Sequence, residues 1–140
     1  MAGRMVADIV RGRELVTLQS NATVKEACRQ MCDRRVGAVL VVDAPHHLVG
    51  IFTGRDAVYR ILAEGRDPSK TTLAEVMTQK PHTMSPQKSA IDALRQMHDG
   101  GYRHIPVVDN GALVGVVSRN DFRGLEKARI EDEVDIWERI

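Results

Sequence analysis

The chain has 140 residues, 43% hydrophobic and 28% charged, with 20 basic against 19 acidic side chains and a formal net charge of +1. That is apolar material enough for a core without staples, and a balance of charge that provides no field for gripping nucleic acid or an acidic membrane surface. No run approaches the ~20 apolar residues of a membrane-spanning helix, and the N-terminal MAGRMVADIVRGRELV carries Arg4, Asp8 and Arg11 where a secretory signal would be uninterrupted, so the expected location is cytoplasmic.

In chain order, a short strand is predicted at 15–18. Thr23-Val-Lys-Glu26 then opens a helix over 23–33, with a hydroxyl for an orphan N–H and a carboxylate three residues on. Its apolar positions Val24, Ala27, Cys28 and Met31 follow helical spacing. Cys28 and Cys32 are the only cysteines, and this spacing reads them as small core residues rather than a bridge or a metal site. The β-branched runs 37–43 and 47–53 form a hairpin. A second helix is expected over 55–64, ending at Gly65. The segment 65–81 links the halves, with a short helix at Leu73–Met77.

The same order then returns. A strand is expected at 82–84, a helix at 89–99 opened by Ser89-Ala-Ile-Asp92, and strands at 104–109 and 113–118 joined by Asn110-Gly111, a strong hairpin signal. Pro106 cannot donate to a ladder and so belongs at a strand start or edge. A last helix is expected over about 119–130. The return is literal: at a shift of 66, nine of the 27 residues 17–43 are identical to 83–109, including Arg29-Gln30-Met31 on Arg95-Gln96-Met97 and Val41-Val42-Asp43 on Val107-Val108-Asp109. After the hairpin loop the shift is 65, and Leu48, Val49, Gly50 and Asp56 meet Leu113, Val114, Gly115 and Asp121. The chain is therefore a tandem repeat of β-α-β-β-α units in the α+β class. One repeat is too small to bury its sheet; two related by a pseudo-two-fold, packed sheet to sheet, would share a core and leave two clefts where strand ends meet helix starts. The expected domains are 1–64, a linker 65–76, 77–127, and a helical tail 128–140.

AEVMTQKPHTMSP and YRHIPVVDNGALVGVVSRNDF resemble a CBS domain, the module named for cystathionine β-synthase. The first repeat resembles a more diverged copy. Together, over about residues 5–126, they are similar to a stand-alone tandem CBS pair, or Bateman module, of the bacterial type. The resemblance implies regulatory binding of an adenosyl ligand (AMP, ADP or ATP, with NAD and S-adenosylmethionine as further members of the class). It also implies homodimers, and no catalytic cofactor.

The residues allow a parallel argument. Thr53 and Ser118 each end a strand and start a helix, where free N–H groups suit a phosphate. Asp56 and Asp121 follow one turn on, and a carboxylate can accept both hydroxyls of a ribose. Hydroxyl-x-x-Asp is also a capping box, so the carboxylate that caps the helix is the one that would turn to the ribose. The adenine is expected between the first two strands of each repeat. That assigns His82, Thr83, Arg103, His104, Ile105 and Pro106 to the Asp121 site, with Arg119 and Asn120 beside it. It assigns Val16, Thr17, Val36, Gly37 and Ala38 to the Asp56 site, with Arg55 beside it. Ile105, Val16 and Val36 also read as plain sheet core. Arg34 and Arg35 complete a set of cations near the sites. The second repeat carries the fuller motif, so the Asp121 site is the one expected to be competent.

His46-His47 reads as a surface pair in the hairpin loop, and no metal site is expected. Ser, His and Asp all occur without triad context, so no catalytic residue is assigned. Trp137, with Val134, Ile130 and Ile140, makes one apolar face of the tail, packed on its own domain or against a partner. Two functional readings remain: an adenine-nucleotide sensor that alters dimer contacts or an effector-protein surface, and a non-catalytic dimerisation or scaffold module with vestigial clefts. Neither involves nucleic acid or a membrane.

Overall fold

A computed structural model describes residues 3–122 together with 124, 128 and 130. The Trp137 tail lies outside the described residues, as does most of the helix expected to end near 130.

The two repeats form their helices for the same local reasons. Helix α2 (Val24–Arg34) starts where Thr23 Oγ1 accepts from Glu26 N at 3.1 Å. It stops where Arg35 enters the left-handed region at φ 55, its N–H reaching Met31 O. Helix α5 (Ala90–Gly100) starts where Ser89 Oγ accepts from Asp92 N at 3.1 Å, and stops at Gly101, φ 70. Each buries an apolar stripe: Val24, Ala27 and Met31 in one, Ala90, Ala93, Leu94 and Met97 in the other.

The first repeat's strands β1 (Thr17–Gln19), β2 (Ala38–Ala44) and β3 (His47–Thr53) lie side by side, β1 parallel to β2 and β2 antiparallel to β3. A fourth strand, β4 (Thr78–Gln79), pairs with Gly50 and Ile51 of β3; its two residues are too few for a periodicity to mark. In the second repeat β5 (His104–Asp109) and β6 (Ala112–Ser118) form the hairpin. Asn110 and Gly111 sit at φ 51 and 82 in its turn. The strand expected at 82–84 is reduced to one parallel bridge, Met84 to Val107. Pro106 lies inside β5 rather than at its start, and directs its carbonyl to Met84 N at 3.0 Å. Its missing N–H falls on that same outer side, where no ladder continues.

Two further departures concern the second helices. The one expected over 55–64 begins as a single α-turn, α3 (Gly54–Asp56), then runs as a π-helix over Ala57–Leu62. The one expected over 119–130 begins as a 3-10 turn, Arg119–Asp121, and is interrupted where Phe122 becomes extended. Cys28 is half-buried against the core but Cys32 is exposed, so only the first behaves as a core residue.

The chain divides into two compact units that do not follow the repeats end to end: Glu14–Pro81 with Gly111–Leu113, and the remainder. The N-terminal helix α1 (Val6–Val10), unexpected from sequence, belongs to the unit of the second repeat. Val6 N reaches Lys88 O at 2.8 Å, Ala90 N reaches Arg4 O at 2.8 Å, and Val6, Ile9 and Val10 enter a core with Leu94, Met97, Ile105, Val107 and Phe122. Helix α4 (Leu73–Val76) does the same in the other unit: Leu73 N reaches Ala22 O at 2.9 Å, Val24 N reaches Thr71 O at 2.9 Å, and Leu73 and Val76 join Val24, Val39, Phe52 and Ile61. The glycines record the close approach. A Cβ on Gly115 would lie 2.7 Å from Val10 Cβ, and one on the equivalent Gly50 would lie 2.5 Å from Met77 Sδ.

Candidate functional site

In each unit the expected residues are gathered by strand pairing at one end of the sheet. In the first, Leu40 N donates to Val16 O at 3.0 Å, Ala38 faces Thr53 across the β2–β3 ladder, and Gly54 N donates to Gly37 O at 3.0 Å. Val16–Thr17, Gly37–Ala38 and Thr53–Asp56 thus converge. In the second, Met84 bridges Val107 and Arg119 N donates to Arg103 O at 2.9 Å. That places His82–Thr83, Arg103–His104 and Ser118–Asp121 together. The bonds from Gly54 and Arg119 are the same bond, one repeat apart.

Both aspartates fold back on the residue that opens their turn. Asp56 Oδ2 accepts from Thr53 N at 2.9 Å, and Thr53 Oγ1 accepts from Asp56 N at 3.2 Å. Asp121 Oδ2 accepts from Ser118 N at 2.7 Å. The second oxygens differ. Asp56 Oδ1 has Arg60 Nε at 3.7 Å, and its side chain is 17% exposed. Asp121 Oδ1 is held by Arg13 Nη1, and its side chain is only 9% exposed. Arg4 Nη2 donates to the main-chain carbonyl of Asp121 at 2.8 Å. Arg4 and Arg13 were not legible as site residues, since nothing in the local pattern ties positions 4 and 13 to position 121.

The remaining expected residues sort by burial. Ile105 and Pro106 are buried, and Ile105 belongs to the hydrophobic cluster of its unit. Val16 and Ala38 are likewise buried, whereas Val36 is 38% exposed and so is not a sheet-core residue. Thr17, Gly37, Thr83, Arg103 and Asn120 are exposed; His104 and Arg119 are half-buried. Arg55 lies over the ring of Tyr59, 5.1 Å from its centroid. Arg34 pairs with Glu14, and Arg35 is the left-handed end of α2. His82 turns to Tyr102, its Nδ1 3.3 Å from the phenol oxygen, with the rings edge-on at 5.8 Å. Gln96 donates to the same oxygen at 3.0 Å. These residues border an open hollow of about 420 Å³ with Asp92, Arg95 and Asp99. Tyr102 is a neighbour that the sequence did not single out.

His47 Nδ1 pairs with Asp43. Among the described residues no group of three or more His, Cys, Asp or Glu side chains is placed to hold a metal. Nor, among them, is any helix long and apolar enough to cross a membrane.

A tandem α+β architecture with a hydroxyl-x-x-Asp turn beside the paired strand ends of each repeat defines a class, and comparison with known proteins agrees with it. The CBS domain family model matches residues 6–63 and again 73–127. The chain belongs to the CBS domain family, as a tandem pair. It is 38% identical over 115 residues to the CBS domain-containing protein CBSCBSPB2 of Arabidopsis thaliana; the match covers 82% of this chain but 22% of that protein, so the chain spans about a fifth of the relative's length. Among solved structures it is similar to a protein with CBS domains from Burkholderia ambifaria, with TM-score 0.79 and 32% identity over 91% of this chain and 95% of that one. It is also similar to a CBS domain protein from Pyrobaculum aerophilum complexed with AMP, with TM-score 0.80 and 26% identity over 91% and 98%.

Proposed function

We propose that this CBS pair is a cytoplasmic, non-catalytic sensor of an adenine nucleotide of the AMP, ADP or ATP type. Binding would alter contacts within a homodimer or with an effector protein. The observation that carries the reading is the gathering of Ser118–Asp121, Arg103–His104 and His82–Thr83 at one sheet end, in a chain similar to a protein complexed with AMP. A carboxylate offers two acceptors to a ribose diol, and the nearby guanidinium groups suit phosphate. For a signal to result, the ligand must bind two conformations with different affinity.

A second reading, a dimerisation or scaffold module, is favoured by a different observation. Val58, Tyr59 and Leu62 on the π-helical segment are all exposed, an apolar face suited to a second copy, while both aspartates already serve as turn caps. Thermal melting with AMP, ADP, ATP, NAD and S-adenosylmethionine separates the two. A ligand at about 100 times its dissociation constant should add about 2.7 kcal/mol of stability. No shift at millimolar concentration with any of them, together with sedimentation as a dimer, would leave the scaffold.

A further inference from the structure

We propose that Arg13 selects the ligand of the Asp121 site: it competes with a ribose for the Asp121 carboxylate and, once displaced, pairs with the phosphate. This rests on the adenine-nucleotide reading above. Both oxygens of Asp121 are engaged, Oδ2 by Ser118 N and Oδ1 by Arg13 Nη1, and the side chain is 9% exposed. Oδ2 keeps a second lone pair beside its bond from Ser118 N, but on so enclosed a side chain Oδ1 opens to the ribose diol when the Arg13 guanidinium leaves it. Arg13 is free to do so on its own side, since its side chain is 51% exposed, and an ion pair with one solvated member exchanges readily. Arg4 differs, because it holds the main-chain carbonyl of Asp121, a bond that a ribose on the carboxylate does not contest.

The displaced guanidinium stays anchored beside the sugar by α1, whose Val6, Ile9 and Val10 are core residues. In a nucleotide the 5′-phosphate hangs from that same sugar ring, within the reach of an arginine side chain. There it can form short, charge-assisted, bidentate bonds. A nucleoside without phosphate breaks the Arg13–Asp121 pair and returns nothing to Arg13. Preference for phosphorylated ligands is thus built from a residue 108 positions away in sequence.

The test is calorimetric titration of adenosine and of AMP into the full chain, as wild type, Arg13→Ala and Arg13→Lys. For Arg13→Ala, the preference for AMP over adenosine should fall by about tenfold, the effect of one lost charged contact to phosphate. Adenosine should bind several-fold tighter because its competitor is gone. Arg13→Lys should recover most of the preference for AMP. Because the ratio of two ligands is read on the same protein, partial unfolding of a variant does not alter it. If Arg13→Ala changes both affinities by the same factor, or neither, Arg13 has no selecting role and the proposal is overturned while nucleotide binding stands. If neither ligand binds wild type or Arg13→Ala, the nucleotide reading itself fails and the Arg13 role goes with it.

Discussion

Asp56 and Asp121 occupy the same place in two copies of one motif, yet their surroundings are not the same. From sequence, the second copy is the fuller match. At the level of atoms its carboxylate is the more enclosed, 9% against 17% exposed, and its Oδ1 is held by Arg13; Asp56 Oδ1 has Arg60 Nε at 3.7 Å. The two cysteines diverge in the same way. Burial, and then the neighbouring Cys32, raise the Cys28 thiol above its ordinary value of 9.0, while Cys32 is exposed. Alkylation with iodoacetamide near pH 8, followed by mass spectrometry, should therefore modify Cys32 well before Cys28. Since the folded protein holds Cys28 as the neutral thiol, its contribution to stability is intact below pH 9 and declines as pH rises above that value and the unfolded chain ionises.

The helices show how much a local rule decides. Thr23 and Ser89 cap, apolar residues recur at helical spacing, and α2 and α5 begin within a residue of where that pattern puts them. Their ends are the instructive contrast. Gly101 takes the left-handed position at the end of α5 without penalty, whereas Arg35, its counterpart one repeat earlier, takes the same conformation at φ 55 with a side chain. Arg35→Gly should stabilise the protein by about 1 kcal/mol in urea denaturation, a gain that Arg35→Ala should not reproduce. The π-helix at Ala57–Leu62 was not legible in the same way, because an i to i+5 ladder leaves no periodic signature over six residues.

At the scale of the molecule, the repeat extends further than strand and helix patterns suggest. VADIV at 6–10 and LAEVM at 73–77 correspond at a shift of 67. Each forms a short helix, and each closes a capping loop: Met5 N to Asp8 Oδ2 at 3.0 Å, and Thr72 N to Glu75 Oε2 at 2.7 Å. The lead helix of the first repeat packs in the unit of the second, and the lead helix of the second in the unit of the first. The segment Val6–Val10 is therefore core rather than tail. Ile9→Ala should cost about 2–4 kcal/mol in denaturant unfolding. Hydrogen exchange should place the lost protection in α5 and β5, which share a cluster with Ile9. Full protection there would mean that α1 does not hold that core.

The sequence by itself determined the duplication, because identical residues recur at shifts of 65 and 66, and it determined the helix-strand-strand order, the hairpin turn and the aspartates that close each turn, because these follow from residues a few positions apart. Only the tertiary structure decided which unit each lead helix joins, that Thr78–Gln79 is a strand, and that Arg13 holds Asp121. Those partners lie tens to more than a hundred residues distant. Burial and close approach at Gly50 and Gly115 select them, and no periodicity along the chain records that choice.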